Sequence, residues 1–286
     1  MLAVKLLGVE RRSFRKGLRK MAINQGKIAC ITGSTSGIGA AFAKRFAIQG
    51  YDLLVTGRRR EKLQSLADEL SKSFNINIEV IIAELSDNSI LESLANKLRE
   101  IKDLEILVNN AGFAKKNRFH LEDFAVHEKM LKVHCLATMK LTHAVLPNMI
   151  SNGKGIIINV SSLSAFTPFP TNSIYAATKS FIKLFTESIH LELSGTGVKA
   201  QALCPGMTRT DFHERMGFDK KDVYKDGGVL KAMSPEEVVD ISLQYLEKDE
   251  VLCIPGFNNK FISLLPKILP RSMIYKAAKS MMGEKQ

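Results

Sequence analysis

The 286-residue chain has no tryptophan and only four cysteines, Cys30, Cys135, Cys204 and Cys253. The cysteines lie far apart and form neither a CxxC pair nor a Cys/His spacing of the kind a zinc site uses. Each sits in an apolar run, so they read as small buried thiols in a reducing compartment, which makes a cytoplasmic location the expectation. His120, His127, His143, His190 and His213 lack metal-ligand spacing, and no metal is expected. No run reaches the roughly 18 apolar residues that a membrane-crossing helix needs. Met1–Val9 is apolar but short, contains Lys5 and precedes its basic residues, which makes it a poor secretory signal.

The charge is also missing from where a nucleic-acid-binding protein would carry it. The formal net charge is +12, but residues 1–20 hold +6 and residues 256–286 hold +5, leaving +1 for the body. No basic stripe interleaved with aromatics crosses the middle of the chain, and nucleic acid is not an expected partner. Residues 1–20 fit three readings: a basic tail, a surface-binding or targeting helix, or an extension upstream of a start at Met21. No linker rich in proline, glycine or serine divides the rest. The expected organisation is a basic extension over 1–25, one domain over 26–256 and a basic amphipathic tail over 257–286.

What is present is an alternation of short β-branched runs and longer amphipathic stretches. Strands are predicted at Lys27–Thr32, Asp52–Thr56, Ile78–Ala83, Ile106–Asn109, Gly155–Val160, Lys199–Cys204 and Val251–Ile254. Helices are predicted at Gly37–Gln49, Arg60–Ser73, Ser89–Glu100, Asp123–Ile150, Ser173–Ser194 and Pro235–Glu247. The strand runs are continuously apolar, as when helices cover both faces of a parallel sheet. Right-handed crossovers then give a single doubly wound α/β sheet of Rossmann type. In such sheets ligands bind beyond the carboxyl ends of the strands, so the loops after the strands carry the chemistry.

The first such loop is Gly33-Ser34-Thr35-Ser36-Gly37-Ile38-Gly39, opening directly into a helix. Glycines allow the tight turn, and the helix N-terminus favours a pyrophosphate. Taken alone, the loop is also an ordinary strand-to-helix turn. It is not a Walker loop, because no Lys-Ser/Thr pair follows. The second strand ends at Gly57-Arg58-Arg59-Arg60. A ribose 2′-hydroxyl is commonly held by an acidic residue here, whereas a 2′-phosphate is matched by arginine. Arg58 is read as the phosphate ligand, and Arg59 and Arg60 as a solvated helix face.

Tyr175 and Lys179 are spaced i, i+4, on one face of a predicted helix. A neighbouring ammonium favours the phenolate, so the Tyr175 pKa is expected to fall from about 10 towards working pH. Ser162, at a strand end thirteen residues before the tyrosine, is placed to hydrogen-bond a substrate oxygen. YxxxK alone usually marks a solvated helix face; the serine and the order of elements make it specific.

Together, TGxxxGIG from Thr32, Asn109-Asn110-Ala111-Gly112, Ser162, Tyr175-xxx-Lys179 and Pro205-Gly206 resemble the short-chain dehydrogenase/reductase family, over residues 27 to about 255. The resemblance implies hydride transfer between NADP(H) and a carbonyl or alcohol carbon. It implies that Lys179 also binds the nicotinamide ribose and that Asn110, Ala111 and Gly112 line the adenosine-ribose site. Glu84 stands where the family usually has Asp against the adenine amino group, with Leu85 against the ring. Pro205, Gly206, Thr208 and Thr210 would hold the carboxamide.

His134 replaces the family's usual Asn, which supports a water linked to the lysine. Its expected roles are an ordinary packed side chain or a titrating member of the proton relay. His134→Asn should keep most activity.

Phe166, Phe169, Phe212, Met216 and Phe218 point to an apolar substrate pocket or to plain packing. In the tail, Phe261, Leu264, Leu265, Ile268, Leu269, Met273 and Ile274 alternate with lysines, and Pro266 and Pro270 are expected to break it into short helices. The tail is equally a lid, an anionic-membrane contact or a helix packed on the body or a second subunit. The resulting expectation is an NADP(H)-dependent reductase of hydrophobic carbonyls (3-oxoacyl, lipid-like or steroid-type), forming homodimers or homotetramers. The alternative is a non-catalytic NADP(H)-binding sensor or scaffold with a membrane-surface tail.

Overall fold

A computed structural model describes residues 26–216 and 232–280. The readings placed on residues 1–20 and on Phe218 lie outside the described residues. Seven parallel strands form one sheet in the order β3-β2-β1-β4-β5-β6-β7. They are β1 (Ile28–Thr32), β2 (Asp52–Gly57), β3 (Ile78–Ile82), β4 (Leu104–Asn109), β5 (Gly155–Val160), β6 (Val198–Leu203) and β7 (Leu252–Cys253). Strand order reverses between β1 and β4, which opens a crevice at their carboxyl ends. The doubly wound sheet expected from the apolar runs is the observed one.

Helices α1 (Gly37–Ile48), α2 (Arg60–Phe74) and α8 (Pro235–Glu247) cover one face. On the other lie α3 (Asn88–Glu100), α5 (Ala137–Ser151) and α6 (Ser173–Glu192). Successive β1 residues point opposite ways, so Ile31 joins Phe42, Leu63 and Val238 while Cys30 joins Leu91, Leu141 and Met149. Each such fully buried aliphatic side chain contributes about 1.5–3 kcal/mol of transfer free energy. Between β4, β5 and the helices runs a buried polar chain: Asn109 donates to Asn159 (2.8 Å) and Thr142 (3.1 Å), and Asn159 donates to Thr186 (2.9 Å). It fixes α6 against the strands.

Two local expectations need correction. The stretch predicted as one helix over Asp123–Ile150 is α4 (Phe124–Leu131), a π turn at Lys132–Leu136, and α5. The periodicity hides this, because a π turn adds a single residue to the register. In the tail, α9 (Phe257–Ile268) runs through Pro266 and stops before Pro270, where Leu269 turns extended. Losing one backbone donor bends a helix without having to end it. A short α7 (Asp211–Arg215) precedes α8, and α10 (Arg271–Ser280) follows α9.

Candidate active site

Beyond the carboxyl ends of the strands lies a cavity of about 530 Å³. Its walls include Gly33, Ser36, Gly37, Ile38, Arg58, Glu84, Leu85, Asn110, Ala111, Gly112, Pro205, Gly206, Thr208 and Thr210 at the expected cofactor positions, with Ser162, Tyr175 and Lys179 at the expected catalytic ones. Two expected cofactor residues, and His134 treated below, are elsewhere. Ser34 is fully buried, its hydroxyl donating to the Ile31 carbonyl at 2.8 Å. Gly39 is a packing position: a Cβ there would stand 2.5 Å from the Gly33 carbonyl oxygen and from Asn110 Nδ2.

The loop after β1 is a cradle. Gly37 has φ +60, and a Cβ on it would meet Thr210 Cγ2 at 2.8 Å. Any side chain would both strain the turn and fill the approach to α1. Ser36 gives α1 no side-chain cap, and no carboxylate occupies the first turn, so the positive helix end faces the cavity. Thr32 ties the neighbouring loop in place, its hydroxyl accepting from the Asn110 and Ala111 N–H groups, each at 3.0 Å.

At the β2 end, Arg58 Nη1 lies 3.3 Å from Glu84 Oε2, and Lys129 Nζ lies 3.0 Å from the same oxygen. Burial alone would raise the Glu84 pKa, but hydrogen bonds from Lys129 and Ser86 and the Arg58 charge lower it, keeping it a carboxylate. Arg59 is not a solvated side chain as expected. Its guanidinium donates to Thr35 Oγ1 (2.5 Å) and Ser36 Oγ (3.0 Å) and pairs with Asp211 at 3.8 Å. Helix start geometry turns Arg59 back over the loop, while Arg60 begins α2.

At the other end, Ser162 closes β5 and its oxygen accepts the Ser164 N–H at 3.1 Å. Tyr175 and Lys179 project from adjacent turns of α6, with Lys179 Nζ 5.7 Å from the phenol ring centre. Lys179 is 4% exposed and donates to the Val160 carbonyl at 2.8 Å. The expected drop in the Tyr175 pKa is reversed. Burial pushes it up to about 12, with the Ser162 hydrogen bond opposing and Cys204 adding to the rise. Burial likewise pushes Lys179 down to about 8. For both groups loss of hydration is the largest cause.

His134 is fully buried at the centre of the π turn, and burial, with the Lys179 charge, holds its pKa well below 6.5. This direction favours the neutral ring. The catalytic-group neighbourhood also holds Asn172, 4% exposed, whose side-chain amide has no hydrogen-bond partner among the described residues. Thr35 and Phe113 line the cavity and were not singled out from the sequence, whereas Asn172 and Ile262 lie in stretches expected to build the substrate side, the run from Phe166 and the C-terminal tail. Thr35 belongs to a loop already singled out, and Ile262 reaches the cavity from α9.

A family model described as short chain dehydrogenase matches residues 27–221. Sulfoacetaldehyde reductase 2 of Chromohalobacter salexigens is 36% identical over 219 residues, 74% of this chain and 86% of the relative. A short-chain dehydrogenase from Sphingobium yanoikuyae, solved in complex with NADPH, superposes with a TM-score of 0.76 at 31% identity, covering 91% of this chain and 96% of that one. The bulky-bulky ketone specific alcohol dehydrogenase from Comamonas testosteroni gives 0.71 at 28% identity, covering 91% and 95%. The chain belongs to the short chain dehydrogenase family.

Proposed function

We propose that this protein interconverts a hydrophobic ketone or aldehyde and its alcohol with NADP(H). The observation that carries this reading is one cavity with an anion cradle and Arg58 at one end, where Arg59 also holds the loop, and Ser162, Tyr175 and Lys179 at the other. The residues fit the dinucleotide: the α1 N-terminus and Gly37 suit a pyrophosphate, and Arg58 and Arg59 suit a 2′-phosphate. When bound, NADP(H) supplies a hydride to the carbonyl carbon or accepts one from the alcohol carbon. Ser162 donates a hydrogen bond to the substrate oxygen. Tyr175 gives that oxygen its phenolic proton in reduction and takes it back in oxidation. A phenol held near pKa 12 is fully protonated at neutral pH, the form that reduction requires. Lys179 holds the nicotinamide ribose beside it.

For the substrate, Phe166, Phe169, Phe212, Met216 and Ile262 supply apolar wall. Arg58 and Lys179 are the cations among its described lining residues, and both are assigned to the cofactor. An apolar body with one neutral hydrogen-bonding group, matched by Asn172, fits best. Both the reductase from Chromohalobacter and the ketone-specific enzyme from Comamonas support carbonyl chemistry. A screen of NADPH consumption over a ketone and aldehyde panel tests the reading. Turnover confined to small anionic aldehydes would overturn the substrate class.

The tail supports a membrane-surface role. On α9, Asn259 and Ser263 turn inward, whereas Phe257 (84% exposed), Phe261, Leu264 and Ile268 (74%) form one outward stripe at helical spacing. Residues 251–280 carry five basic and no acidic side chains. A stripe this apolar, rimmed by lysines, suits an anionic bilayer surface, and none of the described helices is long and apolar enough to cross one. Co-sedimentation with anionic vesicles should occur at low salt and weaken in the Phe261→Ser/Ile268→Ser variant. Equal pelleting with and without vesicles would remove this role.

A further inference from the structure

We propose that His134 is a positioning residue: it clamps the loop after β4 to the catalytic helix and so sets Tyr175 against the bound cofactor. The inference rests on the oxidoreductase reading above and concerns how this chain holds its site together.

The imidazole makes one hydrogen bond to each of two elements. Nε2 accepts the Phe113 backbone N–H at 3.1 Å, which is the end of the Asn110–Gly112 loop. Nδ1 lies 2.8 Å from Thr178 Oγ1. The Thr178 hydroxyl donates to the Tyr175 carbonyl at 2.8 Å, so its oxygen receives the Nδ1–H. One tautomer alone satisfies all three contacts: proton on Nδ1, lone pair on Nε2. A protonated ring would lose the Phe113 bond, and burial with the nearby Lys179 charge keeps the ring neutral.

Packing fixes the same arrangement. The His134 ring meets the Tyr175 ring edge-on with centroids 5.8 Å apart, and the Phe113 ring at 5.9 Å. Gly112 leaves no slack, because a Cβ there would stand 3.0 Å from Nε2. The side chain enters from the centre of the π turn Lys132–Leu136, where the helix register slips by one residue. Such turns are frequent at functional sites. The two nitrogens thus engage two different elements of the site, the loop after β4 and the catalytic helix α6.

Two conservative variants separate the two arms of the clamp. The amide of Asn reaches the place of Nδ1 and keeps the Thr178 bond; the amide of Gln reaches the place of Nε2 and keeps the Phe113 bond. His134→Leu removes both at similar volume. Each amide variant forfeits one buried hydrogen bond, so their thermal midpoints should fall by similar amounts. Function should split. His134→Asn should raise the NADPH dissociation constant about fivefold and leave kcat within about twofold, while Phe113 amide exchange quickens. His134→Gln should leave NADPH affinity within about twofold, keep Phe113 protected and lower kcat about tenfold. His134→Leu should show both losses.

Amide variants with lowered midpoints but unchanged affinity, kcat and Phe113 exchange would make His134 a core residue only and overturn the inference. So would affinity and kcat moving together by the same factor in both. Wild-type protein that binds no NADPH would instead sink the oxidoreductase reading, and the inference with it.

Discussion

Lys179 and Tyr175 share one face of α6, yet the lysine spends its hydrogen bond on the Val160 carbonyl at 2.8 Å and stands 5.7 Å from the phenol ring centre. Lys179 is buried and Tyr175 half-buried in the cavity wall, and loss of hydration moves both towards neutrality, Tyr175 to about 12 and Lys179 to about 8. The relationship is that of a protonated acid beside a cation held for a second job, rather than of a preformed phenolate.

Cofactor choice should follow the arginines. Arg58→Ala removes a side chain that lines the cavity and should weaken NADPH binding about tenfold or more while leaving NADH within about twofold, since a charge-assisted hydrogen bond contributes about 1.5–3 kcal/mol. Arg59→Ala should act in the same direction and also loosen the Thr35–Ser36 loop. Equal losses for the two dinucleotides in a calorimetric titration would count against a 2′-phosphate site.

The two glycines of the cradle should behave differently. A Cβ at Gly39 meets backbone, the Gly33 carbonyl oxygen at 2.5 Å, so Gly39→Ala should destabilise the fold by about 1–3 kcal/mol. At Gly37 a Cβ strains the turn (φ +60) but meets only the Thr210 side chain, which can move; Gly37→Ala should weaken cofactor binding more than it lowers the thermal midpoint. Denaturant melts and NADPH titrations of the pair check the distinction.

Much of this site was legible because its chemistry is local. Gly33 to Gly39, Asn110 to Gly112 and Tyr175 with Lys179 are short motifs at strand ends, and seven apolar runs place those ends together. What was not legible depends on long-range geometry. The π turn around His134 differs from an α-helix by one residue, below the reach of periodicity. The Tyr175 shift reverses because spacing reveals a neighbouring charge but not the burial of both groups. Arg59 points back to Thr35 across 24 residues of chain, and its neighbours Arg58 and Arg60 give no local hint of which will turn.

Acid should expose the neutral histidine. Since the folded His134 pKa lies well below 6.5, its contribution is fully present above that value. It is lost as pH falls, because the unfolded chain takes up a proton the folded chain refuses. Across that window the wild-type stability should fall more steeply than that of His134→Asn by up to about 1.4 kcal/mol per pH unit. Lys179, Tyr175 and the half-buried Cys135, the other titratable groups nearby, are common to both proteins. Identical slopes in chemical denaturation between pH 7 and 5 would show that His134 titrates normally.

Association should use the outward face of α6. Phe181, Leu184 and Leu191 are exposed there, flanked by Leu131 and Leu136. We expect a homodimer or homotetramer through this surface, and Leu184→Glu/Leu191→Glu should sediment as a monomer at concentrations where the wild type does not. An unchanged sedimentation coefficient would place the interface elsewhere.

The most direct measurement is Tyr175→Phe, assayed with any carbonyl that the wild type reduces and titrated in parallel with NADPH. The account predicts a loss of about 10²–10⁴ in kcat with NADPH affinity within about twofold, because the phenolic proton is removed and the cavity is not. A variant that binds NADPH and turns over at the wild-type rate would contradict it.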